Sequence, residues 1–172
     1  MPAANCAKVS TMDAIDILER HHRQLEQRFS ALTASDSPVL ADFTAAADLL
    51  VVHMTIEEEL FYPAVHAART EDVLLESLEE HLSLKRVLAD MLALTPDDPP
   101  FGPKLHVLAE QLEHHHKEEE DHLFPEAKKL LDAEAREALG ARMQAKVDSL
   151  AHQAPRTRVR DQTDDAAPLP DA

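Results

Sequence analysis

A chain of 172 residues that is 44% apolar can bury one sizeable core and leaves little room for a second. Two glycines and 3% aromatic residues exclude a β-sandwich or barrel, whose turns and strands need both, so helices are the default. The 33 acidic against 17 basic residues give a net charge of −16, which argues against direct binding to nucleic acid or to an anionic membrane. Cys6, alone in a polar stretch, can form neither an intrachain disulfide nor a thiolate cluster, and a reducing compartment is expected. No apolar run approaches the roughly 20 residues of a membrane span, and residues 1–10 lack the apolar segment of a secretory signal. A cytoplasmic location is the expectation.

In chain order, residues 1–10 are small and polar and are expected to be disordered, as are residues 153–172, which mix Pro, Asp, Arg and Thr without periodicity. The folded domain is then 11–152. Within it, Ser35-Asp36-Ser37-Pro38, the neighbourhood of Arg69-Thr70, and the run from Thr95 to Pro100 separate four helical patterns. Asp36 or Ser37 reads as a cap before Pro38, and Pro103 suits the first turn of the fourth helix.

The first helix carries Ile15, Leu18, His22, Leu25, Phe29 and Leu32, and the second Phe43, Ala46, Leu50, His53, Glu57 and Leu60. Leu74, Ser77, His81, Leu84, Leu88 and Met91 continue the alternating steps of three and four on the third helix. Leu105, Leu108, Leu112, His115, Glu119 and His122 do so on the fourth. These are the inward stripes of an all-α fold, an antiparallel up-down four-helix bundle. A stretch from about Ala133 to Ala151, capped by Asp132 and carrying Leu139, Met143, Val147 and Leu150, adds a C-terminal helix outside it. The bundle contains a repeat: the blocks His53 to Pro63 and His115 to Pro125 share the frame H-x-x-x-E-E-[ED]-x-[FL]-[YF]-P.

Each stripe thus holds a histidine, and two add a glutamate one turn later. Residues four apart lie on the same helix face, so His53 with Glu57 and His115 with Glu119 can address one place, joined by His22 and His81. Burying two carboxylates and four imidazoles among aliphatic side chains costs several kcal/mol per ionised group unless cations compensate. Without them, the facing carboxylates should be pushed above their usual pKa range. Six such groups exceed the needs of one tetrahedral zinc and suit two ions. Nitrogen and oxygen donors without thiolate favour iron, with manganese or zinc less suited. Glu58, Glu59, Glu118, Glu120 and Asp121 are expected on the solvated face, with Glu58 or Glu120 the alternative ligands if the register is shifted by one. His21, His114 and His116, off the stripe, should be exposed. His122 belongs to an end layer, and Tyr62 to packing near the bundle end.

The two H-x-x-x-E-E blocks, each followed by an aromatic or leucine pair and Pro, together with single histidines on the first and third helices, resemble the hemerythrin-like HHE cation-binding domain family. The resemblance covers about residues 11–152. It implies a non-haem di-iron centre that reacts with dioxygen, hydrogen peroxide or nitric oxide, with His22, His53, His81 and His115 as terminal imidazoles and Glu57 and Glu119 as bridging carboxylates. Oxygen-carrying members have a second histidine one turn before His81, where this chain has Ser77, and their last carboxylate follows its histidine by five residues, which would select Glu120. Members often have Asp where His21 stands, which leaves His21 a lesser ligand candidate. The set of four His and two Glu looks more like members that decompose peroxide or that act in repair of iron-sulfur centres. Catalase-like peroxide disproportionation is therefore one expectation, and the alternatives are a metal-dependent sensing or interaction module and an iron-storage or iron-centre repair protein. No protein partner is indicated.

Overall fold

The computed structural model describes residues 12–67 and 69–169. The expectation for residues 1–10 falls outside them. Among the described residues there is no strand. Helix α1 spans Ala14–Thr33, and its first turn is closed by Asp13, whose Oδ1 accepts from the Ile15 amide at 2.9 Å. Helix α2 begins at Leu40 without a side-chain cap, two residues after Pro38, and runs to Ile56. Helix α3 spans Glu71–Met91, α4 Phe101–Glu118 with Pro103 in its first turn, and α5 Ala133–Leu150, capped by Asp132.

Both α2 and α4 continue past these limits through a wider turn. Glu57–Phe61 and Glu119–Leu123 are π-helical, and a further α-helical piece follows each, Tyr62–Val65 and Phe124–Leu130. The amides of Tyr62 and Phe124 reach back five residues, to the carbonyls of Glu57 and Glu119. Pro63 and Pro125, next in the chain, have no N–H and would press on the carbonyl four residues earlier, so widening the turn just before them relieves the conflict. Each wide turn inserts one residue into the stripe. Phe61 and Leu123 are buried where Leu60 and His122 were expected, and His122 is 60% exposed beside Glu118. Tyr62, expected near the bundle end, is carried to full burial.

Two apolar clusters form the core. One gathers Leu25, Phe29, Phe43, Leu50, Leu88 and Leu112, among others. The other gathers Leu18, Ile56, Phe61, Leu74, Leu123 and Phe124. Between them lies a layer of buried polar side chains. Helix α5 packs against α1 and α2, tied by Arg136 Nε to Asp13 Oδ2 at 2.7 Å. Where it crosses the start of α1, a Cβ on Gly140 would stand 2.0 Å from the Met12 carbonyl oxygen and 3.0 Å from the Ala14 nitrogen. Glycine to alanine within a helix ordinarily gains about 1 kcal/mol. Here Gly140→Ala should instead destabilise by about 1–3 kcal/mol, because backbone must move. A melting temperature at or above the wild-type value would show that α1 is not seated on α5 at this point.

The expectation of disorder after residue 152 is corrected over much of its length. Pro155–Gln162 forms a 3₁₀ helix, and Val159 is buried within the Leu25 cluster. Asp48 accepts from the Arg156 backbone amide and guanidinium, and Arg86 donates to the carbonyls of Thr163 and Asp164, both at 2.8 Å. One buried valine and these capped groups strap a polar segment across α2 and α3, which composition does not reveal. Among the described residues, no helix is long and apolar enough to cross a membrane.

Candidate metal centre

The structure brings all six sequence-predicted residues together, and each is fully buried. Helix α1 supplies His22, α2 His53 with Glu57 at the start of its π turn, α3 His81, and α4 His115 with Glu119 at the corresponding position. Glu57 spans the layer. Its Oε1 lies 3.3 Å from His53 Nε2 and 3.9 Å from His22 Nε2, while its Oε2 lies 3.3 Å from His81 Nε2. Glu119 Oε2 stands 3.3 Å from His22 Nε2 and 3.7 Å from His115 Nε2. Two overlapping donor groups result, His22, His53, Glu57 and Glu119 on one side and Glu57, His81 and His115 on the other.

Several of these atoms have no hydrogen-bond partner: both oxygens of Glu57, Glu119 Oε2, His22 Nε2 and both nitrogens of His53. Buried polar atoms are nearly always paired, and leaving this many bare would cost several kcal/mol. Their common direction, toward one another, fits a set of donors to cations.

Outward-facing nitrogens complete the pattern. His22 Nδ1 pairs with Glu120 Oε1, His81 Nδ1 with Glu58 Oε1 and His115 Nδ1 with Glu80 Oε2, each at 2.8 Å. A carboxylate accepting from Nδ1–H leaves the Nε2 lone pair for a metal and fixes the ring. Lys85 Nζ in turn holds both oxygens of Glu58, at 2.7 and 2.8 Å, and Arg23 holds Glu120. Glu58 and Glu120, expected on the solvated face, are therefore the rear supports of His81 and His22, with Glu58 only 12% exposed. The sequence did carry a signal for them, since each is the second Glu of a repeated block. Glu80 carried none, because it lies outside the repeated blocks.

His116 and His21 are also buried, at 1% and 3% exposure, contrary to expectation. The inward face of a bundle helix is wider than one stripe, and these rings fill its flank: His116 stacks on His22 and His21 meets His53 edge-on. Burial holds His116 down to about 3 and His21 to about 4. His114 is exposed, as expected. Tyr62 donates to Glu119 Oε1 at 2.9 Å and lies 3.2 Å from His81 Nε2.

Charge balance within the layer differs from the expectation of raised carboxylate pKa values. Burial alone would raise Glu119, but the facing His115, His22 and His81 outweigh it and hold it below the ordinary carboxylate range. Burial likewise disfavours charge on His81, yet the carboxylates of Glu57, facing Nε2, and Glu58, accepting at Nδ1, raise it to about 9. In the absence of cations, protons on the imidazoles neutralise the carboxylates.

The profile of the Hemerythrin HHE cation binding domain matches residues 13–127. The uncharacterized protein Rv2633c of Mycobacterium tuberculosis is 30% identical over 146 residues, covering 81% of this chain and 88% of that protein. A DNA nickase of Nostoc sp. is 28% identical over 128 residues, which are 73% of this chain; the match spans 36% of the nickase's length. The crystal structure of an HHE cation-binding domain-containing protein from Mycobacterium kansasii superposes with a TM-score of 0.72 at 23% identity, covering 88% of this chain and 94% of that one.

Proposed function

Because the chain belongs to the hemerythrin HHE cation-binding family, and so binds metal, we propose that its buried layer holds two iron ions and reacts with dioxygen, hydrogen peroxide or nitric oxide. His22 and His53 serve one ion and His81 and His115 the other, with Glu57 and Glu119 shared between them. The observation that carries this reading is Glu57, whose two unpartnered oxygens face different histidine pairs. When bound, such a pair of ions supplies redox equivalents and an open coordination position for a small oxidant. Nitrogen and oxygen donors without thiolate suit iron better than the softer ions, with manganese next.

The chain's own residues position and insulate. Glu120, Glu58 and Glu80 hold three rings at their Nδ1 atoms. Tyr62 donates its phenol proton to Glu119 Oε1 and lies beside His81. Ser77, one turn before His81 where oxygen carriers have another imidazole, favours peroxide turnover over reversible oxygen carriage. The two apolar clusters bound the layer on both sides and keep bulk water from the reacting atoms. DNA nicking does not suit a charge of −16. Metal analysis joined to optical spectra of the reduced protein before and after dioxygen, peroxide and nitric oxide tests the reading. A stoichiometry near one, or spectra indifferent to all three, would overturn it.

A pH dependence follows from His81. A cation at its Nε2 must displace a proton from a ring that Glu57, facing Nε2, and Glu58, accepting at Nδ1, keep protonated up to about 9. Apparent metal affinity should therefore climb as pH rises through the neutral range, by up to about tenfold per unit from this proton, and level off above about 9. Competition with a chelator across that range measures it, and a flat profile would remove His81 from the ligand set.

A further inference from the structure

Among the buried imidazoles around the centre, His116 has a distinctive pair of environments. Its Nδ1 lies 3.4 Å from Glu26 Oε1, and its Nε2 is buried without a partner. The ring stacks on His22 with centroids 3.8 Å apart and planes within 8°, and meets His53 edge-on at 5.3 Å. Donor nitrogens of His22, His53 and His116 lie within 4.8 Å of one another. An imidazole binds a metal along a lone pair in its ring plane, and two parallel stacked planes share no such point. His116 and His22 therefore cannot hold one ion together in this arrangement, but they can hold it in succession.

On the outside, Glu26 and Glu120 line a groove of about 550 Å³ between α1 and α4. Glu110, Glu113 and Asp121 add three carboxylates, with Arg23, Lys117 and His106 among the other lining groups. A concave surface with this excess of negative charge concentrates cations. Arg23 pairs with Glu26 at 2.6 Å and also with Glu120, so a guanidinium occupies the inner carboxylates that a dication would take. The separation of Glu26 Oε1 from His116 Nδ1 is long for a hydrogen bond. It suits two donors each roughly 2.1 Å from a single ion at a near-tetrahedral angle.

We propose that this groove is the uptake route of the metal centre, with Glu26 and His116 forming a transit site for a divalent transition-metal cation that then passes to His22 and His53. The proposal rests on the reading that His22 and His53 hold a metal. The cation displaces Arg23 from Glu26 and is drawn inward by His116, whose ring no hydrogen bond at Nε2 restrains. It is received by His22 Nε2 and His53 Nε2, two buried nitrogens without a hydrogen-bond partner. The opposite half of the centre is backed instead by the Glu58–Lys85 pair and by Glu80.

The test mixes the metal-free full chain with excess Co²⁺ and follows the growth of visible absorption by stopped flow, with final metal content measured separately. Glu26→Gln and His116→Phe, the latter keeping the stack on His22, should slow uptake at least tenfold while leaving the final stoichiometry and spectrum as in the wild type. Arg23→Gln should speed it several-fold. Wild-type rates in both slow candidates would overturn the proposal, and so would a slow variant that also lacks an ion at equilibrium, since its residue would then belong to the centre itself. If His116→Phe does not fold, the partly exposed Glu26 and Arg23 variants decide the matter by their opposite directions. Wild-type protein that takes up no Co²⁺ at all would instead count against the di-metal reading.

Discussion

Glu57→Ala is expected to yield a folded helical protein that no longer holds a metal pair, whereas Glu58→Gln should retain both ions with affinity lowered about 10–100-fold. Neighbours in sequence, the two carboxylates do different work. Glu57 is fully buried with one oxygen toward His22 and His53 and the other toward His81, so removing it separates the two halves of the site. Glu58 meets His81 at its outward nitrogen, and a glutamine there keeps the shape and an acceptor for His81 and Lys85. Glutamine is the better test than alanine, because both remove the counter-charge of the buried Lys85 but alanine would also leave its ammonium without a hydrogen-bond acceptor. Metal content after gel filtration and a chelator titration read the two effects. Two ions retained by Glu57→Ala, or both lost from Glu58→Gln, would place the shared carboxylate elsewhere.

Chelation should lower the melting temperature by roughly 8–16 °C while leaving the helical circular dichroism nearly intact. The size follows from mass action: two ions, each present at about thirty times its dissociation constant, stabilise the folded state by about 2 kcal/mol apiece and about 4 kcal/mol together, and 1 kcal/mol moves the midpoint of a chain this long by about 2–4 °C. Helicity survives because the apolar clusters lie on either side of the polar layer, and neither depends on it for burial. Within the layer, proton-bearing imidazoles facing carboxylates offset part of the cost, as the raised His81 and lowered Glu119 indicate. A metal-free protein is therefore loosened in its middle and not unfolded. An unchanged midpoint, with metal shown to be gone, would mean that the six residues are not the buried site described above.

Much of this was written into linear spacing. Steps of three and four choose one face of a regular helix, and with the exceptions of Leu60 and His122 every residue of the four inward stripes is buried. Those exceptions share one cause: each falls inside a π turn, where one added residue rotates everything beyond it, turning His122 to solvent, leaving Leu60 half-buried at the edge of its cluster, and carrying Phe61, Tyr62 and Leu123 inward. Pro63 and Pro125 stood in the sequence as the sign of that interruption, but a proline marks a conflict without saying how the backbone resolves it.

The repeated H-x-x-x-E-E blocks by themselves determined that two histidine-glutamate pairs face one interior, because positions four apart on a helix cannot avoid sharing a side. What the spacing could not contain is any pairing between helices. That Glu80 supports His115, that Glu120 supports His22, that His116 lies between Glu26 and the His22 ring, and that Val159 seals the Leu25 cluster depend on which helix or segment lies beside which, and at what rotation. Tertiary packing decided these, since side-chain contacts across a bundle are fixed by the meeting of two surfaces, and the periodicity of one chain segment specifies only its own.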